Sequence, residues 1–204
     1  MPEGRGATRA QILEATHGLI RERGLAGTTT RAIAERAGCA EGSIYRYFPD
    51  KAALFHEIVH TRFADFVQLM ATLPDLAGTR TVESNLARVA EEAVEFYRAI
   101  VPMVTGALSD RELLEAQRAH WKDTGAGPAR ALNSVREYVR REQRVGGIRP
   151  DVSPDVVARM VLGPCFAQAM LVELIGEEDA GPADRRFARQ VVRTLLRGIA
   201  PKAV

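Results

Sequence analysis

Apolar residues recur at three- and four-residue spacing along nearly every long segment of this chain, and no stretch sustains the two-residue alternation of a half-buried strand. A chain patterned this way buries its apolar stripes by packing helix on helix, so the fold class is all-α. Breakers divide the pattern into about nine helices. The first carries Ile12, Ala15, Leu19 and Ile20 on one face and is expected to stop at Gly24. A short helix opens near the hydroxyl run Thr28, Thr29, Thr30 and stops at Gly38, and a second short one, EGSIYRYF, stops at Pro49. A long helix is expected from Asp50 to Leu73, followed by helices over 80–101, 103–123, 128–145, 153–175 and 182–199, with Pro102 and GAGP as interruptions. Ser153 as cap and Pro154 at the first helical position make a strong start for the eighth.

Composition narrows the partners little. A net charge of +2 with 46% hydrophobic and 26% charged residues permits a nucleic-acid partner without demanding one. Cys39 and Cys165 are too far apart for a C-x-x-C motif, and the N-terminal MPEGRGATRA has no apolar core for a signal peptide. No run is expected to reach the roughly 18–20 apolar residues of a membrane span. A reducing, cytoplasmic setting with no membrane partner is the expectation.

The segment TTTRAIAERAGCAEGSIYRYF sets an amphipathic helix, a glycine-containing corner and a second short helix within about twenty residues, which is helix-turn-helix spacing. Gly38 supplies the permissive backbone at the corner, and Ala34, Ala37 and Ile44 let the helices cross closely. The second helix offers Glu41, Ser43, Tyr45, Arg46 and Tyr47 to bases or phosphates, and Lys51 opens the next helix, where its charge and free amides could share a phosphate.

GCAEGSIYRYFPDKAALF closely resembles the TetR (tetracycline-repressor) family of transcriptional regulators, and the resemblance extends back through TTTRAIAERA and RAQILEATHGLIRERG. It implies a dimer that lays the helix after the turn in the major groove of double-stranded DNA and reads a palindromic operator. On that resemblance, Thr30 and Arg31 touch backbone or a base, Glu41, Gly42 and Ser43 face the groove, and Arg46 reaches a base or phosphate. Tyr45, Tyr47 and Lys51 clamp phosphates. Glu41 has two readings: acceptor for a cytosine amino group, or partner of its own helix dipole. Tyr45 has two as well, phosphate contact or core aromatic. The implied division is a DNA-binding domain over 5–65 and a ligand-binding and dimerisation domain over 66–204.

One motif argues for an enzyme. HEIVH, His56 to His60, matches the H-E-x-x-H signature in which two histidines hold zinc and a glutamate acts as general base. The downstream TRFADF lacks the glycine and third histidine of metzincins, and only His17 and His120 remain elsewhere. The zinc metallohydrolase alternative, His56 and His60 as ligands with Glu57 as base, is therefore set aside as coincidence. No catalytic residue, metal site or cofactor is expected. A purely structural helical bundle is the third class of reading.

In the C-terminal half, Val156, Val157, Met160, Val161, Phe166, Met170, Leu171 and Leu174 make one helix apolar around much of its circumference. Phe187, Val191, Val192, Leu195, Leu196 and Ile199 stripe the last helix. These last two helices are the candidate homodimer interface, as in the resembled family, with plain intrachain core as the other reading. Phe66, Met70, Phe96, Tyr97, Met103, His120, Trp121, Phe166 and Gln168 are candidates to line a pocket for an unidentified hydrophobic small-molecule ligand, though each also suits ordinary core.

Overall fold

The computed structural model describes residues 7–23, 28–125, 127–176 and 181–199. Among them are ten α-helices, one 3-10 turn and no strand: α1 (Arg9–Arg23), α2 (Thr30–Ala37), α3 (Glu41–Tyr47), α4 (Lys51–Arg62), α5 (Ala64–Thr72), a 3-10 turn at Leu73–Leu76, α6 (Val82–Ser109), α7 (Arg111–Thr124), α8 (Pro128–Val145), α9 (Pro154–Ile175) and α10 (Gly181–Ile199). The chain forms two compact units, residues 1–63 with 102–124, and residues 64–101 with 125–204.

The first unit is built on one apolar cluster. Ile12 and Leu19 of α1, Ile33 and Ala34 of α2, Ile44 of α3, Leu54 and Ile58 of α4 and Leu113 of α7 are all buried in it. Each large aliphatic side chain buried this way contributes roughly 1.5–3 kcal/mol. The local signals agree with the pattern. The Thr29 hydroxyl accepts the Ala32 amide at 3.1 Å to start α2. Gly38 closes that helix at φ 68°, a left-handed conformation open to glycine and costly for a branched residue. Gly24, expected to end α1, lies outside the described residues.

The second unit is held by packing and by one buried polar network. The Glu142 carboxylate, 2% exposed, accepts the Gly78 amide at 3.1 Å, and Asn85 Nδ2 donates to the Tyr138 hydroxyl at 3.1 Å. Burial pushes the Tyr138 phenol well above its usual range. Gln143 Nε2 donates to the carbonyls of Arg149 and Val152, at 2.9 and 2.8 Å, and fixes the connection from α8 to α9. Along α10, Arg185, Arg189 and Arg193 pair with Glu95, Glu91 and Glu83 of α6. Exposed pairs of this kind contribute little energy singly, but three in a row set the register of the two helices.

Three expectations are corrected. The helix expected from Asp50 to Leu73 is two helices separated at Phe63, finished by the 3-10 turn. Pro102 does not end a helix: α6 runs through it to Ser109. The break falls at Asp110, whose carboxylate accepts the Leu113 amide at 3.0 Å, because a cap that satisfies new amides interrupts a helix more effectively than the loss of one amide donor. Finally, α9 is, by length and composition, long and apolar enough to pass for a membrane span. Its length hides two faces. Val157, Val161, Leu162, Cys165, Ala169 and Val172 are buried inside the second unit, while Val156, Met160, Leu171, Leu174 and Ile175 are exposed.

Candidate nucleic-acid interface

The side chain that anchors α3 is Ile44, 2% exposed, with Phe48 at 2% closing its C-terminal end. The opposite face is bare. Tyr45 is 51% exposed and Tyr47 36%, so the reading of Tyr45 as a core aromatic is overturned. Their orientation follows from period: positions 45 and 47 fall away from the Ile44–Phe48 edge that faces α1, α2 and α4. The Arg46 guanidinium lies 5.0 Å from the Tyr47 ring centre and donates to its hydroxyl at 3.1 Å, which pre-aligns a cation and a phenol on one exposed surface.

At the other end of α3, the Thr30 hydroxyl donates to the Glu41 carboxylate, tying the first residue of α2 to the first residue of α3. Glu41 thereby sits at the positive end of its own helix with a partner inside the protein. Gly42 is exposed, and a Cβ there would meet nothing within 4 Å. The protein itself has no steric need for glycine at 42. Ser43 is half-buried beside it. Arg31 pairs with Glu35 at 3.1 Å on the surface, an i,i+4 contact weak enough to exchange for a phosphate.

Lys51 begins α4 and is half-buried. Desolvation holds its ammonium pKa below the usual lysine value, partly offset by Asp110. The Asp50 carboxylate accepts the Ala53 amide at 2.7 Å, so one of the amides expected to share a phosphate with Lys51 already has an anionic partner. Thr30, Arg31, Glu41, Gly42, Ser43, Tyr45, Arg46, Tyr47 and Lys51 all lie in the first unit, on α2, α3 and the start of α4.

The candidate ligand residues fall in both units. Phe66 stacks on Phe96 at 4.5 Å, Phe96 meets Tyr97 at 5.5 Å, and Tyr97 meets Phe166 edge-on at 5.4 Å, an aromatic chain joining α5, α6 and α9 in the second unit. Met70 is buried in that unit, and burial raises the Tyr97 phenol to about 12. Gln168 donates to the buried Asp184 at 3.1 Å, where Arg98 also donates at 3.2 Å. His120 and Trp121 belong to the first unit, on α7, and the side chain of Met103 lies outside the described part of the structure.

The HEIVH segment is not arranged as a protease site. Glu57, which would have to serve as base, is bound by Arg9 at 2.8 Å. Among the described residues, no group of three or more His, Cys, Asp or Glu side chains is placed to hold a metal ion. What sequence reading missed is the neighbour of these histidines: His120, sixty residues further on, packs its ring against His56.

Comparison with known proteins agrees with this geometry. Residues 12–58 match the family described as bacterial regulatory proteins, tetR family. The chain is 28% identical over 166 residues to the HTH-type transcriptional repressor KstR2 of Mycobacterium tuberculosis, covering 75% of each. Among solved structures it resembles the transcriptional regulator FadR of Bacillus subtilis in complex with stearoyl-CoA, with TM-score 0.70, 20% identity, and coverage of 94% of this chain and 99% of that one. It also resembles SmeT of Stenotrophomonas maltophilia, repressor of a multidrug efflux pump, in its triclosan complex, with TM-score 0.68, 21% identity, and coverage of 97% and 93%.

Proposed function

Because this chain belongs to the TetR family of bacterial regulatory proteins, we propose that it is a ligand-responsive transcriptional repressor. In this reading it acts in the cytoplasm as a homodimer, binds a palindromic operator through α3, and is released by a hydrophobic small molecule. The observation that carries the reading is the two-sidedness of α3, with Ile44 sealed into the core while Tyr45 and Tyr47 stand exposed beside Arg46. A short helix so anchored is rigid enough to enter a major groove and bare enough to touch it.

The roles divide by chemistry. Tyr45, Tyr47 and Lys51 bind phosphates and fix register, whereas Ser43, Arg46 and the Gly42 backbone meet base edges. Arg31 joins the phosphate set once it lets go of Glu35. Glu41, held by Thr30, stabilises the start of α3 and leaves base reading to its neighbours. The test is a gel shift with the promoter DNA beside the protein's own gene. Lys51→Ala is expected to weaken binding to all sequences and to lower the salt slope by about 0.9, one phosphate's worth. Unchanged affinity and slope would show that Lys51 does not touch the backbone.

Gly42 gives a sharper test. Since a Cβ at 42 has open space within the protein, Gly42→Ala should stabilise α3 by up to about 1 kcal/mol. The same methyl stands where a base edge would approach, so operator affinity should fall while the melting temperature rises. A variant that is more stable and binds equally well would move Gly42 out of the contact.

The aromatic chain Phe66, Phe96, Tyr97 and Phe166, with Met70, supports an apolar ligand in the second unit. FadR with stearoyl-CoA and SmeT with triclosan support the same class of compound. Ligand and DNA then weaken each other's binding by the same factor, the requirement of linkage.

A further inference from the structure

DNA reading leaves one cluster of the first unit unused. His56 and His60 stand one turn apart on α4, and the His56 ring lies 4.3 Å, centre to centre, from His60 and 4.3 Å from His120 of α7. The Nε2 atoms of His56 and His120 are buried without a hydrogen-bond partner, as is Oε1 of Gln117, one turn before His120. A half-buried imidazole whose Nε2 is sealed from water minimises its cost by staying neutral, because a second charge would face like charge across the ring contacts.

The charged groups around the cluster do not relieve this. On α4, Glu57 is the one anion that favours protonated His56, and Arg9 of α1 already claims it at 2.8 Å. From α7 the facing titratable group is His120 itself, while Asp110 lies beside Lys51. α7 also reaches the core through Leu113, which clusters with Ile44 and Phe48 of the reading helix and its end.

We propose that the rings of His56, His60 and His120 form a proton-operated joint: packed together they seal α7 against α4, and proton uptake by His56 in mildly acidic solution separates them. The direction follows from burial, which, with the neighbouring imidazoles, holds His56 below the ordinary histidine value near 6.5. The separated state, with the His56 imidazole in water, therefore binds more protons than the sealed one. The seal is at full strength above about pH 6.5 and weakens as pH falls through that value, approaching about tenfold per pH unit for each proton gained. Loosening α7 removes Leu113 from the core that supports α3. The inference rests on packing within the first unit and does not depend on DNA reading.

Amide hydrogen exchange on the full chain, at about pH 7.5 and about pH 5.5 and corrected for intrinsic exchange, tests the joint. Expected is a loss of protection in 111–124 at the lower pH, of up to about tenfold for one proton gained, with 135–172 unchanged. His120→Gln should shrink the pH difference in 111–124, and the double variant His56→Phe, His120→Phe should abolish it. The Gln variant carries the test should the double variant fail to fold, as checked by circular dichroism. Equal protection of α7 at both pH values in the natural protein overturns the joint, as does a pH response that is undiminished in His120→Gln or survives the double variant. Stoichiometric micromolar zinc binding near pH 7.5 that requires all three histidines also overturns it, by assigning the cluster to a metal.

Discussion

A Leu171→Asp, Leu174→Asp double variant is expected to stay folded, to sediment as a monomer, and to lose affinity for a palindromic duplex on the order of 100-fold or more. The two leucines are 56% and 76% exposed, so in a single chain the new carboxylates remain in water and cost little. They lie on a stripe of α9 that also exposes Val156, Met160, Gly163 and Ala167, at spacings of three, four and seven residues. In the proposed homodimer this long apolar stripe is the partner surface, where Gly163 and Ala167 at its middle would let two such helices approach closely. Two carboxylates from each copy would meet across that contact and break it. Half of the operator contacts then go with the second subunit. A double variant that still sediments as a dimer would move the interface elsewhere.

Ile44→Ala should have the second large effect. Its side chain is the link between α3 and the core of α1, α2 and α4, and truncating a fully packed isoleucine costs about 2–5 kcal/mol. In a unit this small that is a large share of local stability. The expected result is early loss of amide protection in α1–α4 and loss of DNA binding at room temperature, while α8 and α9 keep their protection. Wild-type affinity in Ile44→Ala would show that α3 is not held as a rigid reading element.

The helix-turn-helix was legible because its signals are local. Thr29, Gly38 and the apolar period through Ile33, Ala34 and Ile44 each specify backbone within a few residues, and all act as expected. Pro102 was misleading because a proline removes one bond, whereas the stop at Asp110 depends on a side-chain cap that a generic breaker rule does not rank. The break at Phe63 carries no glycine or proline and left no mark in the sequence. The aromatic chain was read as a set of candidates, but its pairing of Phe66 with Phe96 and Tyr97 with Phe166 arises only when distant helices meet. The same holds for His56 and His120, whose contact no spacing encodes. Tyr45 was ambiguous because an aromatic fits both a core and a DNA face, and only the packing of Ile44 decides which side is covered.

Selection of bound sequences from a random duplex pool by the full-length protein tests dimeric operator reading most directly. Expected is one enriched palindrome whose half-site centres lie about 10–10.5 base pairs apart, or a multiple of that turn, with Arg46→Ala altering the preferred base at matching positions of both halves. An enriched site without two-fold symmetry, or no enrichment at moderate salt, would contradict it.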